Sequence, residues 1–159
     1  MATGMSEWWI EEPRVLGSGN PDTARLKELF REGFRTVISL LDEAEQQPGY
    51  DVNEILALGF SRHSIPVKDF HPPTLAQMLQ FLATLEPALR QGSVIVHCQG
   101  GSGRTGTMGA AYLIQQGWGP TEAINTIRGA RPGAIETAQQ EECLWQLFHR
   151  LHGQQSCTS

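Results

Sequence analysis

The stretch SVIVHCQGGSGRTG (residues 93–106) decides how the rest of the sequence is interpreted. It opens with the apolar run SVIV, which predicts a buried strand over 93–97, and it leads into TMGAAYLI (107–114), which predicts a helix. The glycine-rich loop between them carries Cys98 near its start and Arg104 near its end, with five residues between the two. A strand, such a loop and a helix in this order can hold an anion, because loop N–H groups and the positive end of the helix dipole converge.

Part of the loop, GSGRTG (101–106), also fits the letters of the dinucleotide fingerprint G-x-G-x-x-G. That fingerprint needs a further strand that ends in an acidic residue about 20 positions on. Glu122 lies at about that distance, but the run before it, LIQQGWGPTEA, predicts a helix, a turn and a new helix rather than a strand. The nucleotide P-loop fails as well, because Arg104 stands where that motif requires lysine. Neither motif gives Cys98 a role, and we expect no cofactor.

The whole loop is better explained as a cradle for a tetrahedral anion. The residues expected to surround the anion are Gln99, Gly100, Gly101, Ser102 and Gly103. Glycine at three of these positions lets the backbone fold so that successive N–H groups point inward. Arg104 can bind two oxygens of the anion in a bidentate fork.

The same cradle stabilises a thiolate at Cys98, as helix N-termini and nearby cations do. Thr105 can donate its hydroxyl to the sulfur and help it leave, and His97 is expected to brace the loop through hydrogen bonds. The alternative is that Cys98 is a small buried hydrophobe and the glycines form an ordinary turn. The conjunction of strand, His-Cys, glycines, Arg-Thr-Gly and helix favours the anion site.

The rest of the chain alternates between strands and helices. We predict strands at about 14–16, 36–41, 61–66 and 93–97. We predict helices at about 21–32, 52–58, 74–91, 104–116, 120–130 and 137–152, with Asn20 as the N-cap of the first. This alternation indicates an α/β fold with a short, mostly parallel central sheet flanked by helices. We expect one domain over residues 1–159 with an ordered core at about 8–152, against which Trp8 and Trp9 pack.

Composition and charge restrict the partners. Hydrophobic residues make up 40% of the 159 residues, and the formal net charge is −5, which argues against non-specific binding to nucleic acid or anionic membranes. No apolar run approaches the roughly 20 residues that span a bilayer, and the N-terminus lacks the pattern of a signal peptide. Three widely spaced cysteines argue against a disulfide scaffold and a zinc site. We therefore expect a cytoplasmic monomer without bound metal.

HCQGGSGRTG resembles the H-C-x-x-G-x-G-R-[ST]-G signature of the cysteine-based protein tyrosine phosphatases. The runs GRTGTMGAAYLI, RPGAIETAQQEE and PVKDFHPP look like the small atypical dual-specificity phosphatases, so that the resemblance covers about residues 8–150. It implies a protein tyrosine phosphatase-like fold and a reaction without metal or cofactor. It also implies that Cys98 attacks phosphorus, that Arg104 binds the phosphoryl group and stabilises the transition state, and that Asp69 protonates the leaving oxygen and then activates water.

Asp42 is an alternative to Asp69 as the acid. Both residues follow predicted strands at the carboxyl edge of the sheet, where ligands bind in such folds. The Pro-Pro sequence after Asp69 and its position in the family pattern favour Asp69. The remaining aspartates, Asp22 and Asp51, are typical of helix starts.

The residue that places the hydrolytic water is open at this point. Tyrosine-specific relatives carry a glutamine where this chain has Glu136, so the resemblance leaves two alternatives. Gln140, which matches a second family glutamine, takes that role, or both residues only cap a helix near Thr137.

A phosphorylated protein or peptide is the expected substrate, as phosphotyrosine and also as phosphoserine or phosphothreonine. Small-molecule or RNA 5′-phosphate hydrolysis by the same chemistry is an alternative, and so is a phosphate-binding module without turnover. The loop carries no lysine at residues 99–102, which lowers the case for phosphoinositides.

Overall fold

The structure is a computed structural model that describes residues 6–157, with side chains through residue 153. The ends of the expected domain, residues 1–5 and 158–159, lie outside this description. The strands are β1 (Glu7–Glu11), β2 (Val15–Ser18), β3 (Phe34–Ser39), β4 (Ser61–Ser64) and β5 (Ser93–His97). The helices are α1 (Thr23–Arg31), α2 (Val52–Leu58), α3 (Leu75–Leu89), α4 (Gly103–Gln115), α5 (Pro120–Ala130) and α6 (Ala138–Cys157).

The strands form one sheet in the order β1-β2-β5-β3-β4. Strands β2, β5, β3 and β4 are parallel, and β1 pairs antiparallel with β2. The predicted α/β fold with a mostly parallel sheet is therefore confirmed. Strand β5 lies at the centre, so the loop that follows it emerges from the middle of the carboxyl edge.

Two details of the N-terminal region differ from the predictions. Strand β1 was not predicted, and it places Trp8 in the core while Trp9 stays half-buried. The N-cap of α1 is Asp22, whose side chain accepts a hydrogen bond from Arg25 N at 2.8 Å, so the prediction of Asn20 was wrong. Asn20 carries both a donor and an acceptor, and it uses them to join two loops, with Oδ1 accepting from Gly49 N and Nδ2 donating to the Gln47 carbonyl.

Hydrophobic side chains cover both faces of the sheet. The smaller cluster lies under α1 and α2, and the larger one lies under α3, α4, α5 and α6. Helix α4 runs through the larger cluster, and every residue from Gly103 to Ile114 is buried. This burial fixes the start of α4 rigidly against the end of β5. Over residues 6–157 no helix is long and apolar enough to cross a membrane.

Candidate functional site

A cavity of about 190 Å³ lies where β5 ends and α4 begins. Its lining residues are Asp69, Phe70, Cys98, Gln99, Gly100, Ser102, Gly103 and Glu136. They come from the loop after β5, the loop after β4 and the turn before α6. Topology thus brings three distant parts of the sequence to one edge of the sheet, as expected for an open α/β fold.

The thiol of Cys98 is buried at the floor of this cavity. Its Sγ accepts hydrogen bonds from Gly101 N at 3.3 Å and from the Thr105 hydroxyl at 3.0 Å. The N-terminus of α4 begins at Gly103, close to the same sulfur. Two donors and a helix N-terminus all favour negative charge on the sulfur.

The backbone of the loop is held from both sides. The φ angle of Gly101 is +82°, and a Cβ there would lie 2.5 Å from Gly19 N, so glycine is required. The buried indole of Trp8 donates to the Gly101 carbonyl at 2.7 Å. On the other side, Arg131 donates to the Ser102 hydroxyl at 3.0 Å and to the Gly100 carbonyl at 3.2 Å. Trp8 and Arg131 therefore brace the loop, a role that the sequence did not reveal for either.

The side chain of Arg104 is almost fully buried, with 1% of its surface exposed. It donates to the Val67 carbonyl at 2.9 Å and to Gln46 Oε1 at 2.9 Å, and it pairs with Asp69 at 3.2 Å. Its Nε is buried and has no hydrogen-bond partner among the described residues. Buried donors are almost always paired, so an orphaned N–H at this position indicates a missing acceptor.

Gln46 connects the arginine to the aspartate and was missed at the level of sequence. Its Oε1 accepts from Arg104, while its Nε2 donates to Asp69 Oδ2 at 3.0 Å. Gln46 lies in the same loop as Asp42, a short distance after β3. In the sequence, the only feature that pointed to a role for Gln46 was its position after a predicted strand, at the carboxyl edge of the sheet.

The structure places Asp69 and Asp42 differently. Asp69 lines the cavity, and its side chain is 31% exposed. Asp42 instead stabilises a turn, since its Oδ1 accepts from Ala44 N at 3.2 Å and it is not among the cavity-lining residues. Phe70, which follows Asp69, has a φ of +64° and is 61% exposed at the cavity rim. A bulky residue rarely adopts this conformation, which indicates that the loop is held in place.

His97 lies fully buried behind the loop, in a chain of hydrogen bonds. The Cys98 carbonyl can only accept, so His97 Nδ1 carries the proton and donates to it at 3.2 Å. His97 Nε2 then accepts from the Tyr50 hydroxyl at 2.7 Å, and that hydroxyl accepts from Arg62 Nε at 2.8 Å. Burial lowers the pKa of His97 to about 3, with Arg62 and Arg104 adding to the effect, so the imidazole is neutral. Arg62 also pairs with Glu43 at 3.0 Å.

Gln140 and Glu136 lie in different environments. Gln140 is fully buried, and its Oε1 accepts from Glu136 N at 2.8 Å and from Thr137 N at 3.3 Å. Its Nε2 donates to the His71 carbonyl at 3.2 Å, so Gln140 ties the loop that carries Asp69 to the start of α6. Of the two residues, Glu136 is the one whose side chain lines the cavity.

The carboxyl of Glu136 lies against the start of α4. A Cβ added to Gly103 would overlap with its Oε1, so glycine leaves the room that this carboxyl occupies. Burial raises the pKa of Glu136, and the charge of Asp69 raises it further, whereas Arg104 and Arg131 oppose the shift.

Comparison with known proteins shows the family of the chain. Residues 6–144 match the family described as PTP-SAK, Swiss Army Knife protein, DSP-PTPase phosphatase domain. The chain belongs to this family. The resemblance to cysteine-based, small atypical dual-specificity phosphatases is thereby confirmed.

Solved structures and relatives agree with this assignment. The DSP-PTPase domain is similar to the active form of Tk-PTP, with 35% identity and a TM-score of 0.83 over 91% of this chain and 97% of that one. It is similar to PTPMT1 in complex with PI(5)P, with 27% identity and a TM-score of 0.82 over 94% and 99% of the two chains. Protein tyrosine phosphatase domain-containing protein 1 of Mus musculus is 26% identical over 159 residues, which cover 89% of this chain and 21% of that protein. The chain thus spans about a fifth of the length of that relative.

Proposed function

We propose that this domain hydrolyses phosphomonoesters through a phosphocysteine formed on Cys98. The observation that carries the proposal is the Cys98 sulfur at the start of α4, with two hydrogen-bond donors on it, in a cavity that it shares with Asp69, the partner of Arg104. A phosphoryl group in the cradle would supply the acceptor that the orphaned Nε of Arg104 lacks. An anion would also place charge where the helix N-terminus favours it.

The first step transfers the phosphoryl group to sulfur. The Cys98 thiolate forms a bond to phosphorus as the bond from phosphorus to the ester oxygen breaks, and Asp69 donates its proton to that oxygen. Arg104 and the N–H groups of the loop stabilise the charge that develops on the phosphoryl oxygens. In the second step the oxygen of a water forms a bond to phosphorus and gives a proton to a carboxylate of the cavity as the bond from phosphorus to sulfur breaks. Cys98 leaves as a thiolate that keeps the hydrogen bond from Thr105.

The proposed substrate is a phosphorylated protein or peptide, foremost phosphotyrosine and then phosphoserine or phosphothreonine. The exposed ring of Phe70 at the rim supports an aryl ester, because it offers a surface on which a ring can stack. Two carboxyls, Asp69 and Glu136, line the cavity and oppose substrates that carry further phosphates. A monomer in a reducing cytoplasm, which keeps Cys98 reduced, completes the proposal.

The test measures hydrolysis of p-nitrophenyl phosphate, of peptides with phosphotyrosine, phosphoserine or phosphothreonine, of PI(5)P and of an RNA 5′-phosphate. We expect the wild type to turn over the aryl phosphate and the phosphotyrosine peptide. Cys98→Ser should lose turnover because the hydroxyl is a far weaker nucleophile, and Cys143→Ser is the matched control. Burial raises the pKa of the Cys143 thiol to about 12, so this residue contributes no nucleophile.

Each substrate of the panel gives a distinct outcome. Preference for PI(5)P or for the RNA 5′-phosphate would keep the chemistry and replace the substrate class. Binding of phosphopeptides by the wild type without any hydrolysis would contradict the proposed activity and indicate a binding module.

A further inference from the structure

Glu136 brings a second carboxyl into the cavity that holds Cys98. Asp69 enters from the loop after β4, and Glu136 enters from the turn before α6. Both side chains line the space that a phosphoryl group on Cys98 would occupy. The first step of the proposed reaction uses one acid, which leaves the second carboxyl without a role.

The backbone before Glu136 is held in a strained conformation. Ile135 has a φ of +59°, where a β-branched residue is a genuine outlier. The turn is fixed by Ile135 N, which donates to the Ser102 carbonyl at 3.3 Å. It is also fixed by Arg128, which donates to the carbonyls of Ala134 at 3.0 Å and Ile135 at 2.8 Å. These contacts dock the turn onto the loop that follows β5 and hold Glu136 at the cavity.

Gln140 does not compete for a water in the cavity. Its amide oxygen already accepts from two backbone N–H groups, and its amide nitrogen already donates to the His71 carbonyl. Its side chain is fully buried. Glu136 is therefore the polar group that the turn before α6 presents to the cavity.

We propose that Glu136, in place of Asp69, to which the family resemblance assigned the activation of water, is the general base of the second step, an inference that rests on the proposed phosphocysteine mechanism. Its carboxylate accepts a proton from the water that attacks phosphorus. The bond from the water oxygen to phosphorus forms as the phosphorus–sulfur bond breaks, and the electron pair of that bond returns to Cys98. Glu136 then releases the proton to solvent, and inorganic phosphate leaves.

The charges around the cavity change in favour of this role during turnover. Asp69 has given up its proton in the first step and is anionic when the water is attacked. A neighbouring negative charge raises the affinity of Glu136 for a proton, and burial acts in the same direction. Arg104 and Arg131 oppose the effect, but Arg104 is engaged by the phosphoryl group at this stage. The carboxylate of Asp69 pairs with Arg104 and accepts a hydrogen bond from Gln46 in the substrate-free chain, and these contacts favour Glu136 of the two as the base.

The experiment separates the two steps by rapid-quench kinetics with p-nitrophenyl phosphate. The first step uses Asp69 as its acid and needs no base. In Glu136→Gln the burst rate and kcat/KM should therefore match the wild type. The second step should slow by roughly a hundredfold, within the usual contribution of a general base. The burst should then release one p-nitrophenol per chain, and intact-mass spectrometry should show the phosphorylated protein accumulating. Glu142→Gln, an exposed position on α6, is the matched control and should behave as the wild type.

Chemical rescue distinguishes a base from a structural residue. In Glu136→Ala, added formate should restore the second step, because it returns a carboxylate to the vacated space. Equal loss of burst rate and kcat/KM in Glu136→Gln, or turnover as fast as the wild type, would overturn the role while leaving the proposed function intact. A wild type that forms no phosphocysteine would overturn both.

Discussion

At the scale of single residues, the carboxyl groups at the sheet edge show how position decides chemistry. Asp69 and Asp42 each follow a strand, and both are candidates for the acid from the sequence. In the structure Asp69 lies at the cavity with Arg104, whereas Asp42 accepts a hydrogen bond from Ala44 N within its own turn. We therefore retain Asp69 as the proposed acid.

Asp69→Asn should lower kcat/KM by roughly 10²–10⁴-fold for phenyl phosphate, because its leaving oxygen needs a proton in the transition state. The loss should be much smaller for 2,4-dinitrophenyl phosphate, whose leaving group departs without one. The measurement is kcat/KM against a series of aryl phosphates of increasing leaving-group acidity. Asp42→Asn is the control, and the assignment is wrong if this variant, rather than Asp69→Asn, shows the dependence on the leaving group.

At the scale of elements, the loop between β3 and α2 contacts Asp69, Arg104 and the histidine that precedes Cys98. Gln46 bridges Arg104 and Asp69, and Tyr50 holds the His97 imidazole. Glu43 in the same loop pairs with Arg62, which in turn donates to Tyr50. This loop therefore links Asp69, the proposed acid, to Arg104 and to the hydrogen bonds of His97 behind the proposed nucleophile.

Gln46→Ala should lower kcat/KM by about tenfold, the equivalent of one net hydrogen bond of about 1.4 kcal/mol. The physical reason is that Arg104 and Asp69 lose a shared partner and are less well oriented. Gln47→Ala, at the neighbouring exposed position, is the control and should leave kcat/KM unchanged.

A double-mutant cycle checks that Gln46 acts through Asp69. Residues that share a network give non-additive losses, so Gln46→Ala combined with Asp69→Asn should be little slower than Asp69→Asn alone. Fully additive losses would show that Gln46 works independently of the acid.

The sequence predicted those elements whose patterns are local. The loop from Cys98 to Arg104 is contiguous, and α3 has an apolar stripe and a capping box from Thr74 and Gln77, so both could be recognised. Strand β1 could not, because Trp9 is apolar but half-buried against Phe34, which hides the alternation of buried and exposed residues. Gln46, Trp8 and Tyr50 reach the site only through long-range contacts. No spacing in the sequence reports such contacts.

At the scale of the whole molecule, the groups that serve the site are also part of the core. His97, Arg104 and Thr105 are all buried between the sheet and α4. The proposed function and the stability of the fold therefore rest on the same side chains, and the stability also depends on the protonation state of the buried His97. A charged imidazole there would add a third cation to the two of Arg62 and Arg104.

The stability of the fold should fall on acidification in a way that His97 accounts for. Burial lowers the pKa of His97 to about 3, whereas the unfolded chain has an ordinary histidine pKa of about 6.5. The unfolded state therefore binds a proton between these values and the folded state does not, so this contribution is complete above about pH 6.5 and is lost as the pH falls. From about pH 7 to about pH 5 the loss should be about 2 kcal/mol, since one proton corresponds to about 1.4 kcal/mol per pH unit.

Urea unfolding at the two pH values measures this loss, with His97→Asn, which cannot titrate, as the reference. The free energy of unfolding of the wild type should decline more than that of the variant by this amount. Should the variant fail to fold, NMR titration of the wild-type imidazole is decisive, because a midpoint near pH 6.5 would contradict a neutral, buried His97.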